Sequence, residues 1–260
     1  MTHSGLLVTG ASFAAFRGLH WGLRLLPTPR SARDGWKWRN ICVSLMHSLL
    51  SGAGALVGLS LYPQMTTDPI HGHPPWALLL VAVSVGYFLA DGADMLWNQT
   101  LAQAWDLLCH HLVVVSCLST AVLSGHYVGL SLVSLLLELN SVCLHLRKLL
   151  LLSHQAPSLA FSMTSWATLA TLALFRLVPL GWMSLWLLRE YHQVPFALVI
   201  LGATGLATVG AMSITLGVRI LINDVLRSRP RPSIPKHDTQ GPRTGNGEPV
   251  TKDKSTVSWK

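Results

Sequence analysis

Residues 76–97 read WALLLVAVSVGYFLADGADMLW. A transmembrane helix needs roughly 20 mostly apolar residues to cross the hydrocarbon of a bilayer, and this run supplies them without a Lys, Arg or Glu. Its two charged residues, Asp91 and Asp94, stand at i and i+3, on one face of a helix. Each costs at least about 2.5–3.5 kcal/mol on insertion scales, so such groups persist in a membrane only when they are paired, face a cavity or are used. The same stretch therefore indicates both a membrane fold and a place to look for function.

The pattern repeats on either side. Apolar blocks predict helices near 5–26, 40–61, 107–124, 128–150, 162–187 and 195–224, separated by short polar connections. Only 12% of the 260 residues are charged, against about 25% in soluble domains. The fold class expected is an all-α, multi-pass transmembrane helix bundle of about six or seven membrane helices. Residues 1–34 form an N-terminal helix and cytoplasmic linker, 35–227 the transmembrane domain, and 228–260 a tail. Pro230, Pro232 and Pro235 followed by Gly, Thr, Lys and Asp cannot build a core, so the tail is expected to be disordered. A signal peptide would begin with basic residues and end in a small-residue cleavage site. The first block has no Lys or Arg at its start, and Arg17, His20 and Arg24 share one stripe, which favours a retained helix over a cleaved signal.

The net charge of +8 is concentrated at Arg30 to Arg39, at Arg147–Lys148 and from Arg219 onward. No basic stripe interleaved with aromatics exists, so nucleic-acid binding is not expected. With the N-terminus outside, the segments 27–39, 98–106, 151–161 and the tail are cytoplasmic. Of the outer loops 62–75, 125–127 and 188–194, only the last carries a basic charge, Arg189; the positive-inside rule is satisfied. The sequon Asn98-Gln99-Thr100 then faces the cytoplasm and stays unmodified. Cys42, Cys109, Cys117 and Cys143 lie in apolar blocks and read as free thiols. Gly54 and Gly58 in the second helix, and Gly202, Gly205 and Gly210 in the seventh, read as sites of close helix packing. Trp36, Trp38, Trp76, Trp97 and Trp105 fall at interfaces, as an aromatic belt does.

Further polar groups lie within the apolar blocks. His110 and His111 open the fourth helix, Glu138, Ser141 and His145 share a face of the fifth, Arg147 and Lys148 follow, and Arg176 lies midway through the sixth. Asp91, Asp94, His110, His111 and His145 fall toward the cytoplasmic half, where they can converge on one pocket. Two explanations fit equally: a general acid/base site in which a His beside a carboxylate moves a proton during acyl transfer, or buried hydrogen bonds and ion pairs that hold the bundle together. Metal ligation is not expected, because adjacent histidines on a helix point about 100° apart and no His-x3-His or Cys-x2-Cys is present.

Gly86-Tyr87-Phe88-Leu89-Ala90-Asp91, Asp94-Met95 and Cys109-His110-His111-Leu112-Val113-Val114, with Leu137-Glu138-Leu139-Asn140-Ser141 through Leu144-His145-Leu146-Arg147, resemble the TLC (TRAM/LAG/CLN) domain, the fold of ceramide synthases and TRAM proteins. The resemblance covers about residues 35 to 225. It implies that His110 and His111 match the histidine pair linked to acyl transfer in ceramide synthases. Glu138 stands where those enzymes have an Asp and Ser141 where they have a second, and the Asn and Arg-x-Gly after their histidines have no counterpart. The short chain and Trp36-Lys37-Trp38-Arg39-Asn40 resemble a smaller branch of the family. That resemblance implies a plasma-membrane regulator of phospholipid composition and fluidity that limits incorporation of polyunsaturated acyl chains into phospholipids; the endoplasmic reticulum is the alternative location.

The expected partners are membrane lipids and phospholipid acyl chains, and no cofactor is expected. Asp94, Asn140, Ser141, His145 and Arg147 are candidates for lipid or acyl binding. The rival is an acyl-CoA-dependent lipid acyltransferase, with acyl-CoA as substrate, His110 or His111 as base or nucleophile and Asp91 or Glu138 as its orienting partner. A channel would need rings of charge or continuous polar faces, which one cluster does not supply.

Overall fold

The computed structural model describes residues 2–25, 28, 34–99, 101–156 and 158–226. The expected disordered tail at 228–260 and most of the linker lie outside the described residues. Within them the chain is helical: α1 (Thr2–Gly22), α2 (Gly35–Leu61), the short α3 (Gln64–Thr67), α4 (Pro75–Asn98), α5 (Leu101–Ser124), α6 (Val128–Leu135), α7 (Leu137–Leu152), α8 (Leu159–Leu172), α9 (Val178–Glu190) and α10 (Phe196–Ile220). Six stretches are long and apolar enough to cross a membrane: Gly35–Leu61, Pro75–Asn98, Trp105–Ser124, Val128–Leu152, Leu159–Gln193 and Phe196–Asp224. The protein is a multi-pass membrane protein. Large apolar side chains that face outward, such as Leu7, Leu112, Leu188 and Phe196, are suited to hydrocarbon, since every backbone polar group of a helix is satisfied internally.

The six spans close into a ring. α2 packs on α4, α4 on α5, α5 on α10, α10 on α8 and α9, α8 on α7, and α7 back on α2. Small residues set the spacing on the α2 side. Gly52 faces Leu139, where an added Cβ would fall 3.0 Å from the Leu139 nitrogen, and Gly54 faces Leu80 at 2.8 Å. Without a hydrophobic force between helices in lipid, this close approach of small residues is what brings the backbones together. In α10, Gly205 faces Cys117 at 3.3 Å, whereas Gly210 meets nothing, so the expectation of close packing fails at Gly210.

α1 lies outside the ring against α4, and its polar stripe is used. The Thr9 hydroxyl donates to the Ala82 carbonyl at 3.3 Å and the Ser12 hydroxyl to the Val83 carbonyl at 2.7 Å. Arg17 reaches Asp94. Rising numbers on α1 meet rising numbers on α4, so the two helices run parallel at the same depth. Gly86 permits the approach, since a Cβ there would fall 2.5 Å from the Thr9 carbonyl oxygen and 2.6 Å from Ser12 Cβ.

Three other local features shape the bundle. Asp34 caps α2 by accepting the Lys37 N–H at 3.1 Å, and that N–H is the main reason its carboxyl titrates below the ordinary value. The α6–α7 span breaks at Leu136, where the Leu136 and Leu139 amides bond back three residues, to Val133 and Leu136. Between α8 and α9 the helix widens into a π turn over Ala173–Leu177. Its cause is Pro179, which has no N–H to give the Phe175 carbonyl and whose ring crowds it.

Candidate functional site

A cavity of about 200 Å³ lies between α5, α6, α7, α9 and α10. Its walls follow α5 from His110 to Thr120 and α10 from Val209 to Leu198, a depth of about 15 Å at the helical rise of 1.5 Å per residue. Most of the lining is Leu, Val and Met, with Trp186 and Tyr127 toward one end. Gly202 and Gly205 thin the α10 wall. The hydroxyls of Thr120, Ser131 and Ser134 are spent on carbonyls of their own helices, so the body of the cavity is apolar in effect.

The other end is different, because His110, Glu138 and Arg176 meet there. Both charged residues sit at irregular turns. Glu138 follows the break at Leu136, and its Oε2 accepts from the Ser48 hydroxyl at 2.6 Å. Arg176 belongs to the π turn. It donates through Nη2 to Ser141 at 3.1 Å and through Nη1 to Ser213 at 3.4 Å, while its Nε has no partner. His110 Nδ1 also has none, and the ring stands edge-on to Phe88. Irregular helix turns of this kind recur at functional sites.

Behind this end lies a second layer. His111 Nε2 is 3.2 Å from Asp91 Oδ2, with both side chains buried. Phe88 packs against both histidines and against His47, which stacks on Tyr87 at 3.8 Å. A third group lies beyond α4. Asp94 accepts from Arg17 Nη1 at 2.9 Å and from Trp36 Nε1 at 2.6 Å, and His20 Nε2 is 3.8 Å away. Asp91 and Asp94 border a separate small cavity with Arg17, His20 and Asn40.

The expected single pocket is thus two. His110 and Glu138 line the large cavity; His111 and Asp91 are paired one layer back. Asp94 joins α1 and Trp36 to α4 and does not reach the large cavity. Asn140 donates to the Thr168 carbonyl and to Thr171. Ser141 holds Arg176, and His145 is half-buried, with its Nδ1 buried and unpartnered. Arg147, expected near the cavity, forms a two-point pair with Asp224 at 2.5 and 2.9 Å instead, and Ser165 donates to the same carboxylate. The helix pattern leads elsewhere because Arg147 is two turns beyond the cavity on α7. Arg176, Ser213 and Ser48 are among the members absent from the candidate residues. A charge inside an apolar block with a proline three residues later was the available signal for Arg176; Ser213 had none. Among the described residues, no group of three or more metal-ligating side chains comes together.

Comparison with known proteins gives a consistent result. The TLC domain pattern matches residues 37–222. The chain is 78% identical to human (Homo sapiens) TLC domain-containing protein 2 over the whole of both chains. It is 39% identical to TLC domain-containing protein 2 of Danio rerio, over 87% of this chain and 92% of that one. It is 30% identical to TLC domain-containing protein 1 of Gallus gallus, over 72% of this chain and 75% of that one. No solved structure matches.

Proposed function

The chain belongs to the TLC domain family, and from that premise we propose that it holds a single acyl chain of a membrane lipid inside the bundle and so regulates phospholipid acyl composition. The observation that carries this is the cavity: apolar along about 15 Å, with its unsatisfied polar groups at one end. One leaflet of a bilayer spans about half of the roughly 30 Å hydrocarbon thickness, so the depth suits one acyl chain. A largely apolar cleft with a few convergent polar groups is the ordinary form of a small-molecule site.

The finer proposal is that the protein limits incorporation of polyunsaturated, fluidising chains into plasma-membrane phospholipids. It rests on the resemblance to the smaller branch of the family, and a physical argument supports it. Packed walls select by shape, and a cavity walled along the length of α5 and α10 takes a saturated or monounsaturated chain better than one bent by several cis double bonds. Charge distribution supports a cytoplasmic C-terminus, since the segments at the end that carries the C-terminus, with their flanks, hold nearly all the basic residues outside the helix interiors.

The experiment is the phospholipid acyl profile of cells lacking the protein, restored with wild type or with Gly202→Leu at equal expression and location. Gly202 lines the cavity, and a Cβ added there meets only the Leu187 side chain, at 3.5 Å, so leucine takes up cavity space without wedging α10 from α5. Restoration by wild type alone supports the proposal. No change in lipids on loss or restoration refutes it.

One observation favours a second reading. His110 presents its ring to the cavity beside the His111–Asp91 pair, an arrangement suited to acyl transfer from acyl-CoA, with His110 as base. Turnover of labelled acyl-CoA by purified wild type, lost in His110→Ala, would establish it; bound lipid without turnover leaves the regulator.

A further inference from the structure

We propose that the polar end of the cavity selects an acyl lipid whose head is uncharged and both donates and accepts hydrogen bonds, as a primary amide or an alcohol does, and discriminates against heads with net charge. This rests on the acyl-chain reading above and adds the class of head to it.

The side chains at that end are one guanidinium, one carboxylate and one imidazole. Arg176 and Glu138 both line the cavity but form no salt bridge with each other. Each is held by hydroxyls instead, Glu138 by Ser48 and Arg176 by Ser141 and Ser213. Glu138 and Ser141 are three residues apart on α7, so the carboxylate stands beside the hydroxyl that positions the guanidinium. The two charges therefore share the polar end of the cavity without pairing with each other.

Their hydrogen-bonding capacity is incomplete. An arginine has five N–H donors and a carboxylate about four acceptor sites. Arg176 uses two donors and its Nε has no partner. Glu138 accepts a single protein hydrogen bond, from Ser48. A head with an acceptor toward Arg176 and a donor toward Glu138 completes both. His110 Nδ1, also unpartnered, accepts or donates according to its tautomer.

Electrostatics gives the discrimination. With opposite unit charges at one end of the cavity, an anionic head gains at Arg176 and loses at Glu138, and it must still be stripped of water to enter. A cationic head meets the converse. A buried ion in such a place is not repaid for its desolvation, whereas an uncharged dipole aligned between the two charges loses little hydration and gains hydrogen bonds to charged partners, which are the stronger kind.

The test uses the full-length protein in phosphatidylcholine nanodiscs. A diazirine-bearing hexadecanol is photocrosslinked to it, and unlabelled hexadecanol, palmitamide, hexadecyl sulfonate and hexadecyltrimethylammonium compete. The sulfonate and the quaternary ammonium keep their charge at any working pH. The alcohol and the amide are expected to compete at concentrations at least about tenfold lower than either ion, the difference made by one uncompensated buried charge. In Glu138→Gln the sulfonate is expected to gain at least about tenfold, because Arg176 is then unopposed. Should that variant fail to fold, the wild-type order decides alone. Equal or better competition by either ion overturns the head-group proposal and leaves the acyl-chain reading standing. No crosslink on the α5, α6, α7, α9 or α10 walls overturns both.

Discussion

Asp94 shows what a carboxylate in the membrane requires. Its two donors, Arg17 and Trp36, lie 77 and 58 residues earlier in the chain. A fully buried pair broken on one side costs about 3–5 kcal/mol, but the Arg17 side chain is 35% exposed, so Asp94→Asn is expected to cost less, about 2 kcal/mol after screening. Thermal unfolding of the purified protein in one detergent checks this, and Arg17→Met added to Asp94→Asn should recover part of the loss. Asp91, Asp94, His110, His111 and Glu138 stood out in the sequence because polar groups in hydrocarbon are costly. Their partners did not. Nothing local to Asp94 distinguishes a carboxylate that anchors α1 from one that faces a ligand, and only the fold brings Arg17 to it.

At the scale of the helix, two predictions follow from how the turns are made. Gly86 leaves room for the α1 backbone, so Gly86→Val should separate α1 from α4, because a Cβ there would fall 2.5 Å from a backbone oxygen. Faster proteolysis of α1 with the ring intact is the expected readout. Pro179→Ala restores the N–H whose absence widens the helix at Ala173–Leu177. The turn should then revert toward α geometry and carry Arg176 away from Ser141. Bound lipid should fall while thermal stability holds or rises, since alanine is the better helix former. The helix spans themselves were legible from apolar length. The break at Leu136 was not, because no Gly or Pro marks it, and Leu135, Leu136 and Leu137 read as uninterrupted helix.

Over the whole molecule, the ring of six helices with α1 laid against it decides where function sits. Its cavity was invisible in the sequence for a physical reason: a helix face that lines an apolar cavity has the same composition as one that faces lipid. Val113 on the cavity wall and Leu112 on the lipid side are neighbours in the chain and differ only in what the ring encloses. The small residues Gly202 and Gly205 read as packing positions, and they also thin the wall of the cavity.

The central claim is that this cavity holds one acyl chain. The direct measurement is mass spectrometry of lipid retained by the purified protein, comparing wild type with Gly202→Leu and Cys117→Phe, each first shown to be folded by thermal unfolding. Wild type should retain a single acyl lipid, as a cavity one leaflet deep allows, and the filled variants should lose it. Equal retention by wild type and both filled variants would contradict the account, because the lipid would then be bound elsewhere.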